Sequence, residues 1–366
     1  MYDKNLSPKQ NYTYKAYYTI GGTVHDSSAP LLITTMDTTS HEFTWEIDTL
    51  GNGNGSILSD VFILNDTCVY VVGEINIKDT DGNWITPPFN LARWNGNSWN
   101  YERSNAPGFL YWELYTIFAF DTNDIWAGST VPEHWDGKKW TFYGVGQGFP
   151  TGFYINKILG TSSSNLYIVG YGGNLVHYNG ITWSKIESGT DVNLTDVWGS
   201  LDGSVVWACG YYPTKAGTFL LKCINNSWSI VVDGTELEND IMEDSLSGVY
   251  SSVYTPSKLR LYVGSSAGLY YTHATTQGEG KRYSFTDTWF PGFPNSLRGN
   301  GVNDMVIVGD YSMLAHFNGI TCKYFRELRT QDIALYAVAQ KGDLIVAVGE
   351  LYHPFNSKGI VFWGRR

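Results

Sequence analysis

Short apolar runs that close on glycine punctuate the chain. They include Val69-Tyr70-Val71-Val72-Gly73, Leu166-Tyr167-Ile168-Val169-Gly170, Leu261-Tyr262-Val263-Gly264, Met305-Val306-Ile307-Val308-Gly309 and Ile345-Val346-Ala347-Val348-Gly349. Near-continuous apolar runs of this length suit strands covered on both faces. About ten residues before each run lies another short strand, such as Ser59-Asp60-Val61-Phe62 or Thr195-Asp196-Val197-Trp198. Downstream, a polar turn is followed by an aromatic residue: Asn95-Gly96-Asn97-Ser98-Trp99, Asp136-Gly137-Lys138-Lys139-Trp140 and Asn179-Gly180-Ile181-Thr182-Trp183. Asn225-Asn226-Ser227-Trp228 is a shortened form, and Asn318-Gly319-Ile320-Thr321-Cys322 puts Cys in the Trp place. Asn-Gly and Asp-Gly predict two-residue type I′ hairpins. No stretch sustains a helical period.

Trp99, Trp140, Trp183 and Trp228 are spaced by 41, 43 and 45 residues. Four antiparallel strands per repeat of this length is the signature of a β-propeller blade. The pattern predicts an all-β, seven-bladed propeller over 38–366. Its blades fall near 56–104, 110–144, 152–188, 192–233, 244–287, 293–327 and from 331 onward. The degenerate fifth blade has its outer strand near Lys281–Phe285. The seventh has three strands, and a segment at about 41–48, with Thr44-Trp45 echoing Thr182-Trp183, is expected to pair with Gly359–Trp363 and close the ring. Closure by a distant strand removes exposed sheet edges.

Residues 1–37 lie outside the repeat. Leu6-Ser7-Pro8-Lys9-Gln10-Asn11-Tyr12 resembles the tyrosine corner of fibronectin type III domains. Tyr12–Tyr18 and Ala29–Thr35 then look like that family's last two strands. The resemblance implies the C-terminal part of a sandwich. Because one hairpin buries no core, either it docks on the propeller or, the favoured expectation, it belongs to a longer multidomain chain. The blades are similar to the repeat propellers of secreted bacterial proteins, which implies an extracellular or cell-surface setting. Their Asn-Gly-x-Thr-Trp ends resemble the tail of the sialidase Asp-box. The leading Ser-x-Asp is missing, and Ser200-Leu201-Asp202-Gly203 sits at the wrong hairpin, so no sialidase activity carries over.

Composition narrows the function classes. Charged and aromatic residues each make up 16% of the 366 residues, which excludes disorder. No window reaches the ~18 consecutive apolar residues of a membrane span. The net charge is −11 and there is no basic run, so nucleic acid is excluded as a partner. Cys68, Cys209, Cys223 and Cys322 lack zinc-ligand spacing. Cys209 and Cys223 flank a predicted hairpin, either as a cross-strand disulfide or as buried free thiols.

Candidate chemistry concentrates at the ring axis and on one face. Aligning the inner strands puts Asp60, Thr116, Lys157, Asp196, Gly248, Ser296 and Tyr336 in one column. As a catalytic set, Asp60 and Asp196 would serve acid–base attack on a glycosidic bond, and Lys157 or Tyr336 a lyase. The alternative is that these side chains bond to the backbone of the next blade. The loops joining one blade to the next carry large rings beside Gly and Pro: Phe109, Tyr111, Trp112, then Phe149 and Tyr154, then Trp289 and Phe293. With Trp84 in the blade 1 insertion they predict an aromatic face for a glycan or protein ligand. Other uses of these rings plug the gaps between blades. Asp79, Asp81 and Asn83 have calcium-loop spacing but no later bidentate Glu, and Asp81-Gly82 is also a plain turn. Calcium is thus a weak candidate, and no cofactor is otherwise expected. His134, His177 and His316 recur at one strand-3 position with Arg93, too far apart from blade to blade to share a metal. The favoured expectation is a non-catalytic binding module for glycan or protein. The alternative is a polysaccharide-active hydrolase or lyase.

Overall fold

A computed structural model describes residues 7–104, 113–200, 202–212, 217–234, 246, 248–273, 283–285 and 291–366. Seven four-stranded antiparallel sheets form the blades of a propeller. Their inner strands are Ile57–Asn65, Thr116–Asp121, Ile155–Ser162, Asn193–Gly199, Tyr250–Ser257, Pro294–Gly301 and Ile333–Lys341. The outer strand of blade 5 is Tyr283–Phe285, within the predicted segment. Blade 7 takes its fourth strand from Thr44–Leu50, paired antiparallel with Lys358–Arg365 so that Gly364 faces Trp45 and Gly359 faces Leu50. The closing strand therefore runs two residues beyond the expected end. Trp363 Nε1 donates to the Asp48 carboxylate at 3.0 Å and fixes the register.

The turns that define the repeat differ from the expected type I′. In the Asn95, Asp136, Asn179 and Asn318 motifs only the glycine has positive φ, between 87° and 93°. Four residues form the loop, so Trp94 pairs with Trp99. The Asn95 side-chain oxygen accepts the backbone N–H groups of Asn97 and Ser98, and Asp136, Asn179 and Asn318 do the same two and three residues on. The side chain itself supplies the turn. The shortened motif is the true two-residue hairpin: Asn225 and Asn226 both have positive φ, and Ile224 pairs with Ser227.

The motif tryptophan packs backward onto the preceding blade. Trp183 meets Trp126, Trp228 meets Tyr167, and Trp99 meets Trp363, with ring centroids 5.7–6.0 Å apart. Apolar clusters fill each gap between blades, so the core is a ring of wedges. The glycines that end the second strands let those strands press against the first. A Cβ on Gly170 would collide with the Tyr154 carbonyl, and one on Gly349 with that of Ala334. The inner strand bulges at this level in blades 1, 3, 4, 5, 6 and 7. The bulge turns one side chain per blade toward the axis.

Residues 11–34 form two short ladders, Asn11–Tyr14 with Leu31–Thr34 and Tyr17–Ile20 with Thr23–Ser27. The Ser7 N–H donates to the Tyr12 hydroxyl at 2.8 Å. All four cysteines are free thiols. Cys209 faces Leu220 and Cys223 faces Val206, so register separates the pair that was a disulfide candidate.

Candidate functional site at the tunnel mouth

The bulges place Asp60, Thr116, Lys157, Asp196, Ser252, Ser296 and Ala337 around the axis. Five of the seven agree with the column expected from sequence. Gly248 and Tyr336 do not belong to it: Gly248 precedes the blade 5 inner strand, whose inward position is Ser252, and the bulge at 335–337 moves the blade 7 position one residue on to Ala337.

Each column side chain that can accept a hydrogen bond takes the backbone N–H one residue past its counterpart in the next blade. Asp60 accepts from Ile117, Thr116 from Ile158, Asp196 from Val253, Ser252 from Leu297 and Ser296 from Val338, at 3.0–3.3 Å. Ala337 and Lys157 have no acceptor to offer. The blades that follow them are those with aspartate. Asp60 Oδ1 accepts from Val61 N–H and Asp196 Oδ1 from Val197 N–H, while each Oδ2 reaches forward. All seven buried donors are satisfied, as an unpaired N–H in this setting would be costly.

Two ion pairs cross the axis. Lys157 Nζ lies 2.6 and 2.8 Å from the Asp60 oxygens. Arg298 makes a two-pronged contact with Asp196 at 2.7 and 2.9 Å, its guanidinium 4.1 Å over the Trp198 ring. Burial works to raise the Asp196 carboxyl, but the Arg298 charge outweighs it and holds the group below the usual carboxylate range. Tyr336 lies beside the axis, with its hydroxyl donating to Glu350 at 3.2 Å. Burial first, then the Glu350 charge, pushes its phenol upward. The axial cavity at this level is about 80 Å³, the share of fewer than three waters at ~30 Å³ each and too little for a sugar ring. The four candidate catalytic residues are thus brought to one place, but with the carboxylates paired to cations rather than facing each other across a substrate gap.

Above this plug the tunnel widens into a mouth of tyrosines and carboxylates. Tyr115, Tyr154 and Tyr171 are exposed at 41%, 54% and 50%, and Tyr154 lies 5.7 Å from Tyr171. Tyr211 meets Phe293 edge-on at 6.0 Å. Glu74, Glu113, Asp310 and Glu350 sit among them. Each carboxylate has a neutral donor: Asn76 on Glu74, Ser59 on Glu113, Asn295 on Asp310 and Tyr336 on Glu350. Among the described residues none of the four has an ion-pair partner. Burial, then the charges of Glu74 and Glu350, push the Glu113 carboxyl above its ordinary range.

The aromatic residues expected on this face divide. Tyr154 is exposed, Phe293 half-buried, and Trp84 36% exposed with Lys78 Nζ 4.8 Å over its ring. Phe149 is a correction: it is buried, edge-on to Trp183 at 5.3 Å and beside Phe153, because the single turn Val145–Gln147 tucks it between blades 2 and 3. Phe109, Tyr111, Trp112 and Trp289 lie outside the described residues. In the Asp79 loop, one carboxylate oxygen accepts the N–H groups of Asp81 and Asn83, the bonding of a polar turn.

Sequence reasoning missed Glu74, Tyr171, Tyr211, Asp310 and Glu350. The signal was present: each directly follows the glycine that closes the apolar run of a second strand.

Fold and site together define a seven-bladed propeller with a plugged axis and one elaborated mouth, an architecture consistent with a binding module. No family model matches the chain. A stretch of 138 residues is 31% identical to the immune protein Tsi7 of Pseudomonas aeruginosa, covering 36% of this chain. The match spans 42% of that relative's length. Among solved structures the chain is similar to YCF48 bound to D1 peptide, with a TM-score of 0.62, 13% identity, and 88% and 95% of the two chains covered. It is similar to YCF48 from Cyanidioschyzon merolae at 0.59 and 12%, covering 87% and 98%. The WD40 propeller domain of Doa1 gives 0.57 and 12%, covering 87% and 97%. At these identities the likeness establishes the fold. No helix among the described residues is long and apolar enough to cross a membrane.

Proposed function

We propose that this protein is a non-catalytic binding module that holds a protein partner on the tunnel mouth, and that the partner presents lysine or arginine side chains. The observation that carries the reading is the set of four mouth carboxylates, Glu74, Glu113, Asp310 and Glu350, bonded to neutral donors and without an ion-pair partner among the described residues. Exposed tyrosine faces beside them suit cationic side chains equally well. The net charge of −11 steers such a partner in from a distance. A match to an immune protein and a structural neighbour crystallised with a peptide both fit a binding role.

Fluorescence anisotropy with labelled lysine- and arginine-rich peptides, glutamate-rich peptides and neutral oligosaccharides tests this. Binding confined to the cationic peptides, weakening with added salt and lost in Glu113→Gln/Glu350→Gln, is expected. Oligosaccharide binding lost on Tyr154→Ala, with no response to cationic peptides, would replace the protein partner with a glycan.

A further inference from the structure

A second site lies on the flank of the ring, in the gap between blades 1 and 2. In blades 2, 3 and 6 the strand-3 histidine bonds to an acceptor that opens the second strand: His134 to Asp124 at 2.9 Å, His177 to Asn165 at 2.6 Å and His316 to Asp304 at 2.8 Å. Blade 1 breaks this rule on both sides. Arg93 replaces the histidine, and the buried thiol of Cys68 stands where the acceptor belongs. The Arg93 guanidinium lies 5.8 Å over the Tyr70 ring, its buried Nε meets no oxygen acceptor, and the side chain it bonds is the weakly accepting Cys68 thiol. No carboxylate is within ion-pair distance of it among the described residues.

The gap in front of Arg93 is open. Trp140, the motif tryptophan of blade 2, packs beside Trp135 at 5.8 Å against the apolar floor of the gap, and its ring makes no stacking contact with Tyr70 of the preceding blade, so the outer part of the gap stays unfilled. The result is a cavity of about 210 Å³ walled by Arg93, Glu102, Thr122, Asn123, Trp135 and Trp140. That is the share of roughly seven waters at ~30 Å³ each, room for one small ring. Its walls combine two indoles, a fan of guanidinium donors, a carboxylate and the polar Asn123 and Thr122. A small anion would satisfy Arg93 but meet Glu102, and an apolar ring would strand both. A ring with hydroxyls on its edge and C–H groups on its faces satisfies all of them.

We propose that the cavity between blades 1 and 2 binds a single neutral pyranose, with Arg93 donating to one hydroxyl, Glu102 accepting from a neighbouring one, and the indoles of Trp135 and Trp140 flanking the ring. The site is independent of the tunnel mouth. It gives the protein a second class of ligand beside its protein partner.

Saturation-transfer NMR on the whole chain tests the assignment, with glucose, galactose, mannose, glucuronate and acetate each at about 10 mM, enough to load a millimolar site. At least one neutral hexose is expected to receive saturation. That signal should vanish in Arg93→Met and in Glu102→Gln and persist in Tyr154→Ala/Tyr171→Ala. Thermal melts establish that the variants fold, and Asn123→Ala, at the exposed rim, serves where Arg93→Met does not. Saturation of acetate or glucuronate alone overturns the pyranose. So does the absence of signal from every neutral hexose, its survival in both the Arg93 and Glu102 variants, or its loss only in the tyrosine variant.

Discussion

His41 Nδ1 lies 2.7 Å from His316 Nδ1, so one ring must accept the proton the other donates. His316 is fully buried and bonds Asp304 through Nε2, and Asp304 in turn holds Arg366, Asn300 and Gln340. His41 also meets Thr321 through Nε2, and the charges facing it are His316, Lys323 and Glu42. Burial first, then His316 and Lys323, lowers the His41 pKa to about 4. A histidine held neutral on folding contributes stability above its unfolded value near 6.5 and loses it as pH falls toward 4. Thermal melts should therefore drop across that window, and His41→Asn should flatten the slope.

Glu133 gives the opposite slope. It is 2% exposed, its Oε2 lacks a hydrogen-bond partner, and burial pushes its carboxyl up to about 8 despite the nearby Ser104 hydroxyl. The folded state keeps it protonated while the unfolded chain releases the proton above about 4.5. Stability is lost as pH rises from there to about 8. Glu133→Gln should raise the denaturant midpoint at pH 8 by the equivalent of a few kcal/mol, at about 1.4 per pKa unit, and change little at pH 4.

The two axial pairs should respond unequally to loss of a carboxylate. Arg298 has a 6% exposed side chain, against 15% for Lys157. Asp196→Ala strands a guanidinium that cannot reach water and should cost about 3–5 kcal/mol in urea unfolding. Asp60→Ala should cost less, since the more exposed ammonium on its flexible stem can turn toward water. Arg298→Met combined with Asp196→Leu should recover most of the loss.

For the mouth, the association rate with an arginine-rich peptide should fall several-fold in Glu113→Gln/Glu350→Gln at low ionic strength, and converge on the unmodified protein at high salt. Stopped-flow mixing at two salt concentrations reads this directly. Tyr171→Ala should act on dissociation instead, because it removes contact area rather than charge.

The blade count and the closing strand were legible because turn glycines and the backward-packing tryptophan recur with the period of the fold. Phe149 was not, since Gly148-Phe149-Pro150 reads as a loop whether its ring points out or is wedged between blades. The inward column slipped by one residue at Tyr336, where a bulge leaves no mark in the hydrophobic pattern, and by four at Gly248, which precedes the inner strand of the degenerate blade 5. Glu74 and Tyr171 escaped notice because the glycines before them were read only as strand ends. Those glycines also set how closely the second strand approaches the first, and so which residue reaches the rim.

The hydrogen bonds made by the column side chains run in one sense, and they lapse at two joints: after Lys157, between blades 3 and 4, and after Ala337, between blades 7 and 1. The Asp60–Lys157 bridge staples the first arc end to end, and Asp196–Arg298 staples blade 4 to blade 6 in the second. Along its axis the wheel is therefore two stapled crescents, joined to each other by Asn156 on the Leu194 carbonyl and Lys341 on the Leu64 carbonyl rather than through the column itself.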